Sequence, residues 1–272
     1  MLTTAQKTQY MQDGFLIIEN FIAKDMCKLL IRRATEIIDN DTHAKRTIFS
    51  AKDQRHAKET YFLESGDKIR LFYEENSTVE NKRFSINKIG HALHDLDPVF
   101  NAFSRTHKIA ALCQALEVHD PLLIQSMYIC KQSFIGGEVS CHQDSTYLYV
   151  KEQPVTGLWF ALENASLQNG CLWAIKGGHR APLKSRMRRL ADNEVKMDIY
   201  DNSPWNLDDM VPLEVPQGSL IVLHGLLPHM SKENISPRSR HAYTLHLMSK
   251  HHEYAQDNWL QRPTNMPFTG FF

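Results

Sequence analysis

Cysteine is scarce and scattered in this chain. Its five residues, Cys27, Cys113, Cys130, Cys141 and Cys171, are odd in number and include no C-x-x-C pair. That pattern excludes a disulfide framework and a zinc knuckle and fits a reducing compartment. Long apolar runs are missing as well: none approaches the ~20 residues that cross a bilayer, so no membrane association is expected. The opening Met1-Leu2-Thr3-Thr4-Ala5-Gln6-Lys7 carries no apolar signal core, and a soluble, cytoplasmic protein is expected. Net charge is absent too. Lys plus Arg number 31, as do Asp plus Glu, so no overall field steers the molecule to nucleic acid or an anionic surface. There is no internal repeat and no low-complexity tract.

What remains is globular material: 272 residues, 42% hydrophobic, enough for a single domain over 1–272 with a sizeable core. Residues 1–120 read as a helix-rich part. Residues 4–11 form a short helix broken at Asp13-Gly14, and residues 15–18 a brief buried strand. Met26, Leu29, Leu30, Ile37 and Ile38 recur at helical spacing, and Val99, Phe103, Ile109, Leu112 and Leu116 predict one amphipathic helix over 98–116. Beyond Pro121 short strand-like runs (122–131, 139–150, 156–163, 171–175, 212–223, 241–248) alternate with Gly136-Gly137, Asn169-Gly170 and Gly177-Gly178. Regular short strands with glycine-rich turns predict a double-sheet sandwich or barrel over 121–250. A charged insertion at 180–210, basic then acidic, interrupts it. This segment and the polar stretch 40–62 are the candidate lids, since long polar loops at a barrel mouth gate entry.

The chemistry concentrates in His142-Gln143-Asp144. On a strand, residues two apart face one side, so an imidazole and a carboxylate point at one spot. His229, just past the strand-like run 218–224, supplies a third ligand. His224 competes with it; His229 is preferred for its spacing to Arg240 and for Ser231, whose hydroxyl beside a guanidinium completes a carboxylate pocket. His224 is read as a packed or hydrogen-bonded histidine and His179 as a turn histidine. Two histidines and a carboxylate on one face leave three positions open, the arrangement of non-haem Fe(II) oxygenases. A zinc hydrolase can use the same triad. Arg240 separates the two, because eleven residues after His229 the chain can return on the neighbouring strand and clamp a carboxylate. The carboxylate Asp144, where a small residue would open a halide position, favours hydroxylation. The expected cofactors are Fe(II), 2-oxoglutarate and O2.

Longer stretches resemble the phytanoyl-CoA dioxygenase family across almost the whole chain. They include Tyr10-Met11-Gln12-Asp13-Gly14-Phe15, Ser65-Gly66-Asp67-Lys68-Ile69-Arg70, Ser85-Ile86-Asn87-Lys88-Ile89-Gly90-His91, Gln125-Ser126-Met127-Tyr128, Asn169-Gly170-Cys171-Leu172 and Ser236-Pro237-Arg238-Ser239-Arg240. The resemblance implies a mainly β fold with flanking helices around a double-stranded β-helix (jelly-roll, cupin-like) core. It implies iron ligation by His142, Asp144 and His229, and cosubstrate contacts at Lys88, Met127, Gln143, Trp159, Ser231 and Arg240. Taken singly, Lys88 reads as a solvated lysine, Met127 as a core filler and Trp159 as a packed aromatic.

The expected function is hydroxylation of a small organic substrate with conversion of 2-oxoglutarate to succinate and CO2. Two rivals belong to other classes: a jelly-roll binding module, whose ligand affinity would survive Asp144→Ala, and an O2-independent metal hydrolase or isomerase, which would survive Arg240→Ala. Arg180, Lys184, Arg186, Arg188 and Arg189 offer a patch for the phosphates of an acyl-CoA. A charged loop pairing with the acidic residues after it accounts for them better, so no acyl-CoA is predicted. The sequence sets no oligomeric state.

Overall fold

The computed structural model describes residues 2–42, 47–49, 60–75, 77, 82–191 and 194–271. The chain opens with α1 (Thr4–Asp13), β1 (Phe15–Ile18), α2 (Lys24–Asn40), β2 (Ile48–Phe49), α3 (Thr60–Leu63), β3 (Ile69–Glu74) and β4 (Ile86–His91). Three helices follow, α4 (Leu93–Leu96), α5 (Pro98–Ser104) and α6 (His107–Ala115). Then come β5 (Pro121–Lys131), β6 (Val139–His142), β7 (Thr156–Ala161), β8 (Leu172–Ile175), β9 (Ser185–Arg189) and β10 (Val195–Ile199). The last strands are β11 (Met210–Leu213), β12 (Leu220–His224), β13 (His229–Ser231) and β14 (Arg240–Ser249).

Two sheets build the double-stranded β-helix. The major one has eight strands in the order β1-β12-β7-β14-β5-β4-β3-β2, and the minor one four, β11-β8-β13-β6. Side-chain alternation assigns the two faces of the major sheet. Tyr243, Leu245 and Leu247 of β14, Leu158 and Phe160 of β7, and Leu220 and Val222 of β12 form one buried cluster with Cys27, Leu30, Ala34 and Ile38 of α2 and with Phe100, Phe103, Ile109 and Leu112 of α5 and α6. The helices therefore cover the outer face. The intervening residues, Arg240, Thr244 and His246 of β14, Gly157 and Trp159 of β7 and Leu223 of β12, line a cavity between the sheets. Both faces are buried, which is why β7 and β12 read as nearly continuous apolar runs, while β14 keeps an alternation with its polar residues toward the cavity.

Three expectations need correction. The helix-rich part is not helices first: β1 to β4 all join the major sheet, β1 beside β12 and β4 beside β5. The helix expected over 98–116 breaks at Arg105-Thr106. Asp97 caps α5 by accepting from the N–H groups of Val99 and Phe100. At its end Arg105 reaches across to the Asp95 carboxylate and the Gly270 carbonyl. The insertion 180–210 holds an antiparallel hairpin, β9 with β10. Its charges do pair along the chain, Arg188 with Asp198 and Lys184 with Asp201. The lid expected at 40–62 falls mostly outside the described residues. Among the described residues no helix is long and apolar enough to cross a membrane.

Candidate metal centre

β6 ends at His142, so Asp144 is not on the strand as the sequence suggested; it opens a 3-10 turn, Asp144–Thr146. The side chains still converge, because Gln143 keeps extended backbone (φ −110°, ψ 135°) and the two-residue alternation survives one step past the strand. His142 lies directly opposite His229 in the β6–β13 register. The Asp144 Oδ1 is 3.7 Å from each of the His142 and His229 Nε2 atoms. One ligand atom from each of the three lies within 4.8 Å of the others.

The backbone fixes both imidazoles. The Nδ1 of His142 is 2.8 Å from the Ser140 carbonyl, and the Nδ1 of His229 is 2.9 Å from that of Leu227. An Nδ1–H donating to a carbonyl leaves the Nε2 lone pair free for a metal. Burial pushes the His229 imidazole down to about 4 despite the nearby Asp144 carboxylate, so it stays neutral, the state a ligand needs. Burial pushes the Asp144 carboxyl up, but the neighbouring His246, His229 and His142 side chains outweigh it and hold the group well below the usual carboxylate range. The centre thus presents two imidazole nitrogens and one carboxylate oxygen from one side, with the cavity on the other. Ferrous iron suits this donor set.

The cavity measures about 250 Å³ and is lined by His142, Asp144 and His229 together with Lys88, Met127, Trp159, Ser231 and Arg240. Arg240 does not stand on the strand neighbouring β13; β14 belongs to the facing sheet, flanked by β5 and β7. The guanidinium reaches the centre across the cavity rather than along one sheet. It is 1% exposed, its Nε donates to the Gly170 carbonyl at 3.1 Å, and one terminal nitrogen has no partner. Burial lowers it only to about 10, with Cys171 and Glu163 opposing, so it remains a cation. A buried cation with a free N–H beside a three-ligand centre fits the distal carboxylate of 2-oxoglutarate. Lys88 is buried rather than solvated, its Nζ 3.3 Å from the Phe49 ring centroid, and desolvation lowers it to about 7.

Gln143 is the expected cosubstrate contact that does not join the cavity lining. Its amide nitrogen donates to the Leu226 and Pro182 carbonyls at 2.9 and 3.3 Å, and its oxygen accepts from the Lys184 N–H at 3.0 Å. Alternation explains this: the residue between two inward ligands must point the other way. His224 ends β12 and uses its Nδ1 to accept from the Leu226 N–H at 3.2 Å, with the His179 ring 5.0 Å away. His179 sits in the 3-10 turn Gly178–Arg180 against Gly14, whose φ of +78° ends α1 and whose missing Cβ would fall 2.4 Å from the His179 ring.

Sequence reasoning missed His246, whose Nε2 is 3.2 Å from the Asp144 Oδ2. It also missed Gly157, where a Cβ would stand 3.1 Å from that same oxygen. The signal for His246 was available. It lies six residues after Arg240 on one strand, hence on the same face.

The family model for phytanoyl-CoA dioxygenase (PhyH) matches residues 10–242. A phytanoyl-CoA dioxygenase of Arabidopsis thaliana is 43% identical over 268 residues, covering 96% of this chain and 94% of the relative. The phytanoyl-CoA dioxygenase domain-containing protein 1 of Bos taurus is 42% identical over 284 residues, covering 98% and 97%. Among solved structures, EctD from S. alaskensis with 2-oxoglutarate and 5-hydroxyectoine aligns at TM-score 0.69 and 16% identity, covering 96% of this chain and 84% of the other. The non-heme alpha ketoglutarate dependent carbocyclase SnoK aligns at TM-score 0.65 and 15% identity, covering 98% and 96%. These two share the fold. With the matched span and the near-complete relatives, the chain belongs to the phytanoyl-CoA dioxygenase family.

Proposed function

We propose that this protein hydroxylates a small organic substrate, with His142, Asp144 and His229 holding the metal and Arg240 with Ser231 holding the cosubstrate. The reaction class follows from the family and the donor set: a non-haem iron dioxygenase that draws on Fe(II), 2-oxoglutarate and O2. Iron held by these ligands would activate O2 at the expense of 2-oxoglutarate, which leaves as succinate and CO2 with one oxygen atom while the other goes to the substrate. The chain itself ligates, orients and excludes water. Arg240 and Ser231 grip the far carboxylate, Lys88 adds an amine donor to the same cavity, and Met127 and Trp159 wall the site against solvent. The major sheet draws strands from both halves of the sequence, which supports reading 1–272 as one domain.

One observation carries this reading above the others: the buried Arg240 guanidinium keeps an unpartnered nitrogen in the cavity that holds the triad. A hydrolase has no use for such a group there, since burying a cation with a free donor is costly unless a ligand completes it. A different observation argues against an acyl-CoA. The cations of the 180–189 segment are already engaged: Arg180 with the Gln12 carbonyl, Lys184 with Asp201, Arg186 with Asp257, Arg188 with Asp198, and Arg189 with the Leu63 carbonyl. Three of these five cations are paired with carboxylates and all five side chains are already held by the protein, which leaves no preformed cluster turned toward the phosphates of a coenzyme. The test is succinate formation by the purified protein with Fe(II), 2-oxoglutarate and O2. Silence under every condition, candidate substrates included, overturns the proposal.

A further inference from the structure

The three ligands are not oriented alike. His142 and His229 each donate to a carbonyl two residues back on their own segment. Asp144 begins a 3-10 turn, and its outer oxygen is met instead from the facing sheet by the Nε2 of His246, 3.2 Å from Oδ2. The other oxygen, Oδ1, is the one both ligand imidazoles face at 3.7 Å. Gly157, paired with His246 across β7 and β14, makes the room, since a Cβ there would lie 3.1 Å from Oδ2 and 3.7 Å from the His246 ring. With its proton on Nε2 the His246 ring turns a donor toward the carboxylate, within 3.2 Å of Oδ2. Its Nδ1, buried without a partner, is then a bare lone pair, which costs less to bury than an N–H.

We propose that His246 is a positioning residue that occupies the Asp144 Oδ2 and so confines the carboxylate to one-oxygen ligation through Oδ1. The consequence is a coordination count. Two nitrogens and one oxygen leave three of six positions, enough for a two-point keto acid and O2. A carboxylate swinging to bind through both oxygens would take one of the three and block O2 or the cosubstrate. A hydrogen bond to the non-ligating oxygen opposes that swing, and the donor comes from β14, the strand that also carries Arg240. Metal ligand and cosubstrate anchor are thereby indexed to one rigid element.

This rests on the triad holding a metal, so the experiment separates the two ideas. Co(II) and Fe(II) are titrated anaerobically into wild type, His246→Ala, His246→Asn and His246→Gln, with affinity and the visible Co(II) spectrum as readouts. The side-chain nitrogen of Gln reaches the position of the imidazole Nε2; that of Asn falls short. Expected is a loss of about tenfold or more in metal affinity for the Ala and Asn variants, with a changed Co(II) spectrum. Gln restores affinity to within about threefold, and the wild-type spectrum with it. Equal affinity and spectra across all four overturn the positioning role, as does a Gln variant no better than Asn. Should Ala fail to fold, the Asn–Gln pair alone decides. If wild type itself binds no metal, the proposed function fails first, and this inference with it.

Discussion

His142 and His229 face each other across β6 and β13, ring centroids 4.4 Å apart, each turned by the carbonyl two residues before it. Such a pair is preorganised: strand register sets the separation and the backbone sets the tautomer, so neither ring needs to reorient to bind. Metal should therefore act on stability by simple mass action. Fe(II) at a hundredfold excess over its Kd is expected to stabilise wild type by about 2.7 kcal/mol, with chelator reversing the gain. In His229→Gln, whose amide lacks a ligating ring nitrogen, the increment should vanish while far-ultraviolet circular dichroism stays native. Thermal unfolding with and without metal measures it, and an undiminished increment in the variant would remove His229 from the site.

Arg240→Met keeps much of the side-chain length and removes the charge. Two charge-assisted hydrogen bonds to a carboxylate are at stake, on the order of 3 kcal/mol or a hundredfold in the KM for 2-oxoglutarate. Fe(II) affinity should hardly move, because Arg240 contacts no ligand atom. The ligand-free variant should be as stable as wild type or more so, since a buried cation with an unpartnered nitrogen is removed. Steady-state kinetics and calorimetric titration separate the two effects. Equal losses in metal and cosubstrate affinity would contradict this division of labour.

The core strands and the convergence of His142 with Asp144 were legible in the sequence because each depends on a short-range rule: alternation along a strand, or a two-residue offset. What was not legible depends on which sheet a strand joins. Arg240 was expected beside His229 and lies across the cavity, because strand order in a β-helix is not sequence order. Gln143 was expected as a cosubstrate contact from the family resemblance alone, yet its place between two inward ligands turns it outward. For His246 the sequence offered its face, shared with Arg240, but not its partner: Asp144 is 102 residues away in sequence, and no local pattern joins the two. The single helix expected over 98–116 fails because apolar periodicity runs through Arg105-Thr106 without registering that Arg105 is drawn away to Asp95.

Gln143 fastens the segment bearing two ligands to both the β9–β10 hairpin, through Pro182 and Lys184, and the approach to β13, through Leu226. Truncating it to Ala strands the half-buried Lys184 N–H and the Leu226 carbonyl and frees the Pro182 carbonyl on an exposed residue, which should cost about 1–3 kcal/mol in total. The damage should be local. Met187 of β9 is 1% exposed and lines the cavity, so a loosened hairpin opens that wall. Hydrogen exchange should accelerate across 182–200 well before the major sheet responds. Uniform acceleration throughout the chain would mean that Gln143 holds no particular segment.

Glu74 sits in the same cavity as Arg240, and burial pushes its carboxyl up to about 7 against the opposing pull of Asn87, the Gly137 N–H and the Lys131 charge. A carboxyl raised above its unfolded value of 4.5 lends stability that is complete below that pH and is lost as pH climbs through the folded value. Glu74→Gln cannot ionise, so it escapes that loss. Its stability relative to wild type should rise by about 2–3 kcal/mol between pH 5 and pH 8, read from denaturant midpoints at each pH. The same ionisation places a negative charge near the carboxylate-binding end of the cavity. The KM of wild type for 2-oxoglutarate should therefore increase above pH 7, and that of Glu74→Gln should not. A stability difference that stays flat across this window would show that Glu74 titrates as an ordinary exposed carboxylate, and the pH dependence of KM would then need another source.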